Sequence, residues 1–211
     1  MKRPQKIRKQ KDTILIVTNG KKTEKNYFEL ISKRYHSLYT IEIKFLGGEC
    51  DKLVNFAISV DKSKYNQIWC VFDIDDSLKE KHLIYALKLA EKNNINIAYS
   101  NESFEVWLLY HLSENVSSSL TRKTYIKEIN KLLSNKGCLA KYQKGDSVLL
   151  EKQFIPNLLI ATENAKKTHQ KFEANHQKSF SGNKGYPIWD WKSTTNIYQL
   201  IERLKLTDRE Q

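Results

Sequence analysis

The sequence predicts an α/β protein, with a mainly parallel sheet flanked by helices and a C-terminal helical extension. Two observations predict this class. Over the first hundred residues, short apolar runs rich in β-branched residues alternate with segments of helical periodicity. Beyond about residue 112, every periodic segment has helical spacing. Regular alternation of strands and helices is typical of right-handed crossovers between parallel strands.

Four segments have the composition of strands in such a sheet. The run TILIVT is continuous, apolar and rich in β-branched residues, which is typical of a strand buried on both faces. An Asn-Gly pair follows it and signals a turn. The run YTIEIKFL alternates with a period of two. The four predicted strands span residues 13–18, 39–46, 67–72 and 95–100.

Amphipathic helices are predicted between these strands and after them. In the first helix, Tyr27, Leu30 and Ile31 recur on one face at helical spacing. The predicted helices of the alternating part span residues 21–35, 51–62 and 77–94. A further helix at 102–112 ends the core, and those of the extension span residues 122–134, 153–172 and 194–205, with a polar loop at 177–187.

The chain is strongly basic, with 36 lysine and arginine residues against 24 acidic residues and a formal net charge of +12. Six of the basic residues lie within the first eleven positions. We therefore divide the chain into a basic arm (1–12), an α/β core (13–112) and a helical extension packed on the core (113–211). A basic chain attracts nucleic acid and other polyanions. The arm has two interpretations, a phosphate contact or a solubilising tail.

Signals for membranes, disulfides and common cofactors are missing from the sequence. No apolar run approaches the ~20 residues that a membrane-spanning helix needs, so we expect no membrane contact. The three cysteines are widely spaced and include no Cys-x-x-Cys pair, which argues against a disulfide framework or a zinc site. This favours the reducing cytoplasm. Neither a Walker loop nor a Gly-x-Gly-x-x-Gly motif is present.

Three aspartates, Asp73, Asp75 and Asp76, follow the third predicted strand. In open parallel sheets, ligands bind beyond the carboxyl ends of the strands. Because side chains alternate along a strand, Asp73 and Asp75 should point the same way and Asp76 elsewhere. Carboxylate oxygens suit Mg²⁺ or Mn²⁺. The pattern therefore has two interpretations, a divalent metal site or a solvated turn.

Two further groups of polar residues are expected at the same edge of the sheet. Those after the first strand are Asn19, Gly20, Lys21, Lys22 and Glu24, and those after the fourth are Ser100, Asn101, Glu102 and Glu105. Acidic residues are favoured in the first turn of a helix, and this structural reason is sufficient to explain Glu102 and Glu105. Glu105 nevertheless stands in an apolar stretch. His111, expected to be half-buried, is either a hydrogen-bonded structural residue or a member of the site. Tyr186, Trp189 and Trp191 are candidates for base stacking or core packing.

Three segments, ILIVTNGKKTEKNYF, IWCVFDIDD and AYSNESFEVWLLYHL, resemble the RloB-like family. KYQKGD and STTNIYQLIERL follow in the expected places, so the resemblance covers nearly the whole chain. The family is similar to the Toprim fold of topoisomerases, primases and OLD-type nucleases. Its members are encoded beside an ATPase partner in prokaryotic antiphage or restriction-associated loci. The resemblance implies a Toprim-like core, a divalent metal and phosphodiester chemistry on nucleic acid.

The family's motifs can be placed on this sequence residue by residue. They fall on Asp73 and Asp75 (Asp-x-Asp), on Thr23, Glu24, Tyr27 and Phe28 (TE-x-x-YF), and on Phe104, Glu105 and Trp107 (FE-x-W), with His111 following.

Two positions depart from the family's pattern. The usual Glu-Gly after the first strand is here Asn19-Gly20, and the usual Ser-Asn-Pro ends here in Glu102. An asparagine can ligate a metal or orient a water, but it cannot shuttle a proton. Glu24 would supply the missing carboxylate, or else the chain binds without cutting. The extra carboxylate of Glu102 either compensates for the missing family glutamate or is incidental.

These observations and the resemblance lead to a leading hypothesis, a Mg²⁺- or Mn²⁺-dependent nuclease of an abortive-infection system that works with an ATPase partner. Asp73, Asp75 and Glu24 would bind metal, and Glu105 would be a further ligand or an acid/base. The remaining assignments are Asn19 and His111 as members of the catalytic site, and Lys21 and Lys22 as phosphate-binding residues. Nucleic acid, DNA or RNA, is the expected substrate, and a homo-oligomer is possible. The alternatives are a non-catalytic sensor or adaptor that binds nucleic acid or nucleotide, and a small basic protein with a structural aspartate turn.

Overall fold

Four parallel strands form the central sheet of the protein in a computed structural model, with the strand order β2-β1-β3-β4. The strands are β1 (Asp12–Thr18), β2 (Tyr39–Phe45), β3 (Gln67–Ile74) and β4 (Asn96–Asn101). The predicted α/β class with a parallel sheet is therefore confirmed. Each predicted strand agrees with the observed one to within two residues at either end.

The structure describes residues 11–75, 80–179 and 192–204. Some predictions lie outside these residues and stay predictions. They concern the basic arm up to residue 10, Asp76, the three aromatic residues Tyr186, Trp189 and Trp191, and most of the loop at 177–187.

Helices cover both faces of the sheet. On one face lie α2 (Cys50–Ser59) and α3 (Glu80–Lys92), and on the other lies α1 (Thr23–Arg34). The later helices pack on the same side as α1; they are α4 (Glu105–Tyr110), α5 (Tyr125–Asn135), α6 (Ser147–Leu149), α7 (Leu158–Ser179) and α8 (Ile197–Arg203). In the described part of the chain, no helix is both long and apolar enough to cross a membrane.

The alternation of side chains along β1 divides the apolar residues between two cores. Ile14 and Ile16 pack in the core that contains α1 and the later helices. Leu15 and Val17 pack in the core that contains α2 and α3. All four side chains are fully buried, which explains why the sequence of β1 is continuously apolar rather than alternating.

Several predicted helices begin two or more residues later than the sequence indicated, and for two of them the backbone shows why. The segment predicted as one helix from residue 153 starts instead with a π-helical turn, Leu150–Phe154, and a 3-10 turn, Ile155–Asn157. Because Pro156 lacks a backbone N–H and its ring clashes with the preceding turn, regular helix resumes only at Leu158. The helix predicted from residue 102 begins at Glu105, since Glu102 has a left-handed φ of 67°.

The segment before α8 covers the outer edge of β4. Thr195 forms an antiparallel bridge with Ser100. The backbone N–H of Tyr99 donates to the side-chain oxygen of Asn196, and the Asn196 amide donates 3.2 Å to the carbonyl of Ile97. The open hydrogen-bonding groups of an edge strand are thereby paired within the chain.

We expect Asn196→Ala to lower the free energy of unfolding by about 1–3 kcal/mol, because it removes the two side-chain hydrogen bonds from Asn196 to the β4 edge. Urea denaturation measures the change. Asn135→Ala, at an exposed position in α5, is the control and should change the same quantity by less than about 0.5 kcal/mol. Equal effects of the two substitutions would show that the Asn196 bonds do not stabilise this edge.

Candidate functional site

A cleft of about 470 Å³ opens at the carboxyl edge of the sheet. The chain leaves β1 toward β2 on one side and leaves β3 toward β4 on the other, so a switch point lies between β1 and β3. Ligands of open parallel sheets bind at such a point. Seven of the eight residues predicted for the site line this cleft: Asn19, Lys21, Lys22, Glu24, Asp73, Asp75 and Glu105. Their chemical roles remain predictions.

Three carboxylates, those of Glu24, Asp73 and Glu105, converge in the cleft. Glu24 is 8% exposed and Glu105 2% exposed. Burial raises the pKa of Asp73 well above its usual range, and the charges of Glu24 and Glu105 raise it further. Burial raises the pKa of Glu24 as well, against the opposing effect of its own backbone N–H. Concentrated negative charge in a buried place opposes folding unless a cation or protons neutralise it.

The carboxylate of Glu24 reaches back over the turn that follows β1. A Cβ atom added to Gly20 would lie 1.8 Å from the carboxyl carbon of Glu24, so only glycine leaves room for this arrangement. Glu24 lies in the first turn of α1, where the helix dipole favours a negative charge. The glutamate therefore places its charge beside Asn19, at the turn where the family resemblance expects a carboxylate.

Asp73 and Asp75 both line the cleft, as the alternation of strand side chains predicts. Ile74 between them points into the opposite core. Their surroundings differ, because Asp75 forms an ion pair with Arg122 whereas Asp73 faces Glu24.

The helical extension contributes two cations to the cleft that the sequence analysis did not identify. The Nζ atom of Lys144 lies 3.2 Å from Oε2 of Glu105, and Arg122 pairs with Asp75. Both basic side chains are nearly half exposed, so they lie at the rim of the cleft. Lys144 belongs to the KYQKGD segment, and the family resemblance of that segment was the only sequence signal that could have identified it. No sequence signal pointed to Arg122, since folding alone brings it near the aspartate.

Hydrogen bonds to α1 fix the loop that carries Lys144. The backbone N–H of Gly145 donates 3.2 Å to Oγ1 of Thr23, and the Asn26 amide donates 2.7 Å to the carbonyl of Gly145. The hydroxyl of Thr23 in turn donates 3.4 Å to Oε1 of Glu105. Thr23 thus connects the loop of the extension to a carboxylate of the core.

His111 is not part of the cleft, and the expectation that it is half-buried is wrong, because the side chain is fully buried. Its Nδ1–H donates 2.9 Å to the carbonyl of Trp107, and the hydroxyl of Tyr27 donates 3.1 Å to Nε2; these two bonds assign the neutral tautomer. Burial lowers the pKa of His111 to about 3. The structure therefore gives this histidine a place in the core.

Glu102 also lies away from the cleft lining. Its carboxylate accepts a hydrogen bond of 2.6 Å from the backbone N–H of Arg122. The extra carboxylate therefore does not replace the family glutamate in the cleft. It holds the loop that brings Arg122 to Asp75.

A second group of possible ligands, Glu49, Asp51 and His82, lies at the margin of the cleft, which Glu49 also lines. Nδ1 of His82 is 2.7 Å from Oε2 of Glu49 and 3.2 Å from Oδ2 of Asp51. Among the described residues, this is the one set of three such side chains with ligand atoms within 4.8 Å of one another. A shared imidazole proton explains that spacing without an ion.

The carboxylates of the cleft lie further apart than the ligand atoms of that set. This wider spacing affects how they could bind a metal ion. Mg²⁺ commonly binds to one or two protein carboxylates and completes its shell with water and substrate phosphate. Asp73 with Glu24 or Glu105 provides such an oxygen-only set at the sheet edge. The residues present therefore fit a divalent cation held in part through water.

A family model described as RloB-like protein matches residues 14–204, which include every residue of the cleft named above. Neither the curated proteins nor the solved structures contain a significant match.

The raised pKa of Asp73 predicts how the site affects stability. A carboxyl whose pKa is higher in the folded state stabilises the protein below its unfolded pKa, and that contribution is lost as the pH rises through the folded pKa. At neutral pH in EDTA, Asp73→Asn should therefore raise the melting temperature by a few degrees. In a chain of this size, such a shift corresponds to about 1 kcal/mol in the free energy of unfolding. The gain should shrink in acid, where wild-type Asp73 is protonated. Glu91→Gln, which alters an exposed carboxylate on α3, is the control. A lower melting temperature for Asp73→Asn would contradict this account.

Proposed function

The chain belongs to the RloB-like protein family, and we propose that it is a cytoplasmic, divalent-metal-dependent nuclease that acts on DNA or RNA. One observation carries the proposal: buried carboxylates and exposed cations share a single cleft at the switch point of a parallel sheet. Carboxylates alone would repel a phosphodiester. With a bound cation and the basic rim, the same cleft attracts one.

Asp73 and Glu24 would hold Mg²⁺ or Mn²⁺, and Glu105 would reach the ion directly or through water. When bound, the ion supplies positive charge that acidifies a water molecule and neutralises the phosphate. Asp75 is paired with Arg122 in this structure, so an ion would compete with the guanidinium for that carboxylate.

Glu24 would act as the general acid/base, a role that the amide of Asn19 cannot perform. A carboxyl whose pKa is raised by burial is better matched to proton transfer near neutral pH than an ordinary one. One of its oxygens would take the proton from the attacking water. Lys144 and the two exposed lysines Lys21 and Lys22 would stabilise negative charge on the phosphate as it develops.

The cellular setting is proposed on the family resemblance alone. The nuclease would belong to a prokaryotic antiphage system of the abortive-infection type, and an ATPase encoded at the same locus would restrain or trigger it. A homo-oligomer is compatible with this role.

A non-catalytic sensor or adaptor is the second candidate, and one observation favours it. Asn19 stands where the family has a glutamate, and an amide cannot transfer protons. Such a protein would bind nucleic acid or nucleotide in the same cleft and pass the signal to its partner without cutting.

The proposed function is tested by incubating the purified protein with DNA and with tRNA in Mg²⁺, in Mn²⁺ and in EDTA. We expect cutting that requires the metal, and a loss of about 100-fold or more in Asp73→Asn, because a ligand is removed. His82→Ala, which alters the neighbouring ligand set, is the control and should cut at nearly the wild-type rate. Binding without cutting, with and without the ATPase, would replace the nuclease by the adaptor.

The same assay separates the roles of Glu24 and Asn19. Glu24→Gln should cost about 100-fold or more as the loss of a general acid/base. Gly20→Ala should approach that loss although it retains the glutamate, because the new methyl group displaces the carboxylate. Asn19→Glu should change the rate by less than about threefold, given that a carboxylate already occupies this turn. A large gain in Asn19→Glu would show instead that the catalytic glutamate is missing.

A further inference from the structure

Exposed basic side chains continue from the cleft across the surface of the helical extension. Residues 121–146 contain seven lysines and arginines against two acidic residues. Four of these lysines, Lys123, Lys127, Lys136 and Lys141, are exposed, and none of them forms an ion pair in the part of the chain that the structure describes. Lys136 caps the C-terminal end of α5. We call the other three residues the basic strip.

The basic strip lies between two residues that line the cleft, Arg122 and Lys144. Arg122 lines the cleft and Lys123 follows it directly. Lys127 lies about one helical turn further on, on the face of α5 opposite the buried residues Tyr125 and Ile129. The strip therefore starts from one rim of the cleft and runs along an exposed helix face.

A pair of hydrogen bonds places Lys141 beside this helix. The backbone N–H of Tyr142 donates 2.7 Å to Oδ1 of Asn130, and the Asn130 amide donates 3.2 Å to the carbonyl of Tyr142. Asn130 lies three residues after Lys127 on α5, so the loop with Lys141 docks next to that lysine. Three residues beyond Lys141, Lys144 returns to the cleft and its glutamate partner.

We propose that the basic strip binds the backbone phosphates of a nucleic-acid strand on one side of the bond that lies in the cleft. This inference rests on the proposed function, since it takes the cleft as the place of the reacting phosphate. A row of cations that extends beyond the cleft fits a polymer of phosphates better than a single small phosphate. Lysine contacts to phosphates position the strand without reading its sequence.

Nucleic acid is favoured over an anionic membrane by the course of the strip. At either end the strip adjoins Arg122 or Lys144, which line a concave cleft with buried carboxylates that the flat surface of a bilayer cannot follow. A polynucleotide strand can bend into the cleft and continue along α5.

The test measures the binding of labelled single-stranded DNA and RNA to the full chain in EDTA, where cutting is blocked, across a range of salt concentrations. In the variant Lys123→Gln/Lys127→Gln/Lys141→Gln, we expect at least about tenfold weaker binding at low salt. The slope of log affinity against log salt should fall by about 2, as for three lost phosphate contacts on a single strand. The control Lys81→Gln/Lys88→Gln/Lys92→Gln removes the same charge from exposed positions of α3 and should bind within about twofold of wild type.

Melting temperatures of the two triple variants equal to that of wild type establish that both are folded. An unchanged slope and affinity in the strip variant would overturn the proposal, as would an equal loss in the control, which would indicate only net charge. Loss of binding to phosphatidylserine vesicles with unchanged polynucleotide binding would overturn it in favour of a membrane. If the protein does not cut nucleic acid but its binding still depends on the strip, the proposed nuclease function is rejected and the proposal for the strip stands.

Discussion

The concentration of negative charge at the switch point between β1 and β3 is the constraint on which the site depends. Glu24, Asp73 and Glu105 are brought together by three different elements, and burial raises the pKa of the first two. Several features reduce this unfavourable energy, among them the dipole of α1, the space left by Gly20 and the ammonium of Lys144. A divalent cation in the cleft would reduce it further. The arrangement costs stability, which is common at functional sites.

The helical extension completes the cleft that the sheet begins. It shares a hydrophobic core with β1 and α1, and its segment before α8 pairs with the edge of β4. Because its loops are fixed by bonds to Thr23 and Glu102, the cations Lys144 and Arg122 occupy defined places at the rim. The extension thus supplies the positive half of a site whose negative half belongs to the core.

The strands and the acidic residues could be predicted because their signals are local. Continuous apolar runs predict buried strands, and the parallel topology then brings Asp73 and Glu24 to one edge. The partners Arg122 and Lys144 could not be assigned, because contacts distant in sequence place them. His111 was misjudged since its i+4 relation to Trp107 indicates a shared helix face but not that Tyr27 and Phe154 enclose the ring. The position of Pro156 did carry a local signal for the late start of α7.

Calorimetric titration with Mn²⁺ tests most directly whether the buried carboxylates form a cation site. The account predicts that wild type binds Mn²⁺, that Asp73→Asn loses this binding, and that His82→Ala retains it. Unchanged binding in Asp73→Asn, with loss in His82→Ala, would instead place the ion at Glu49, Asp51 and His82. That result, or no binding to wild type, would contradict the account of the cleft.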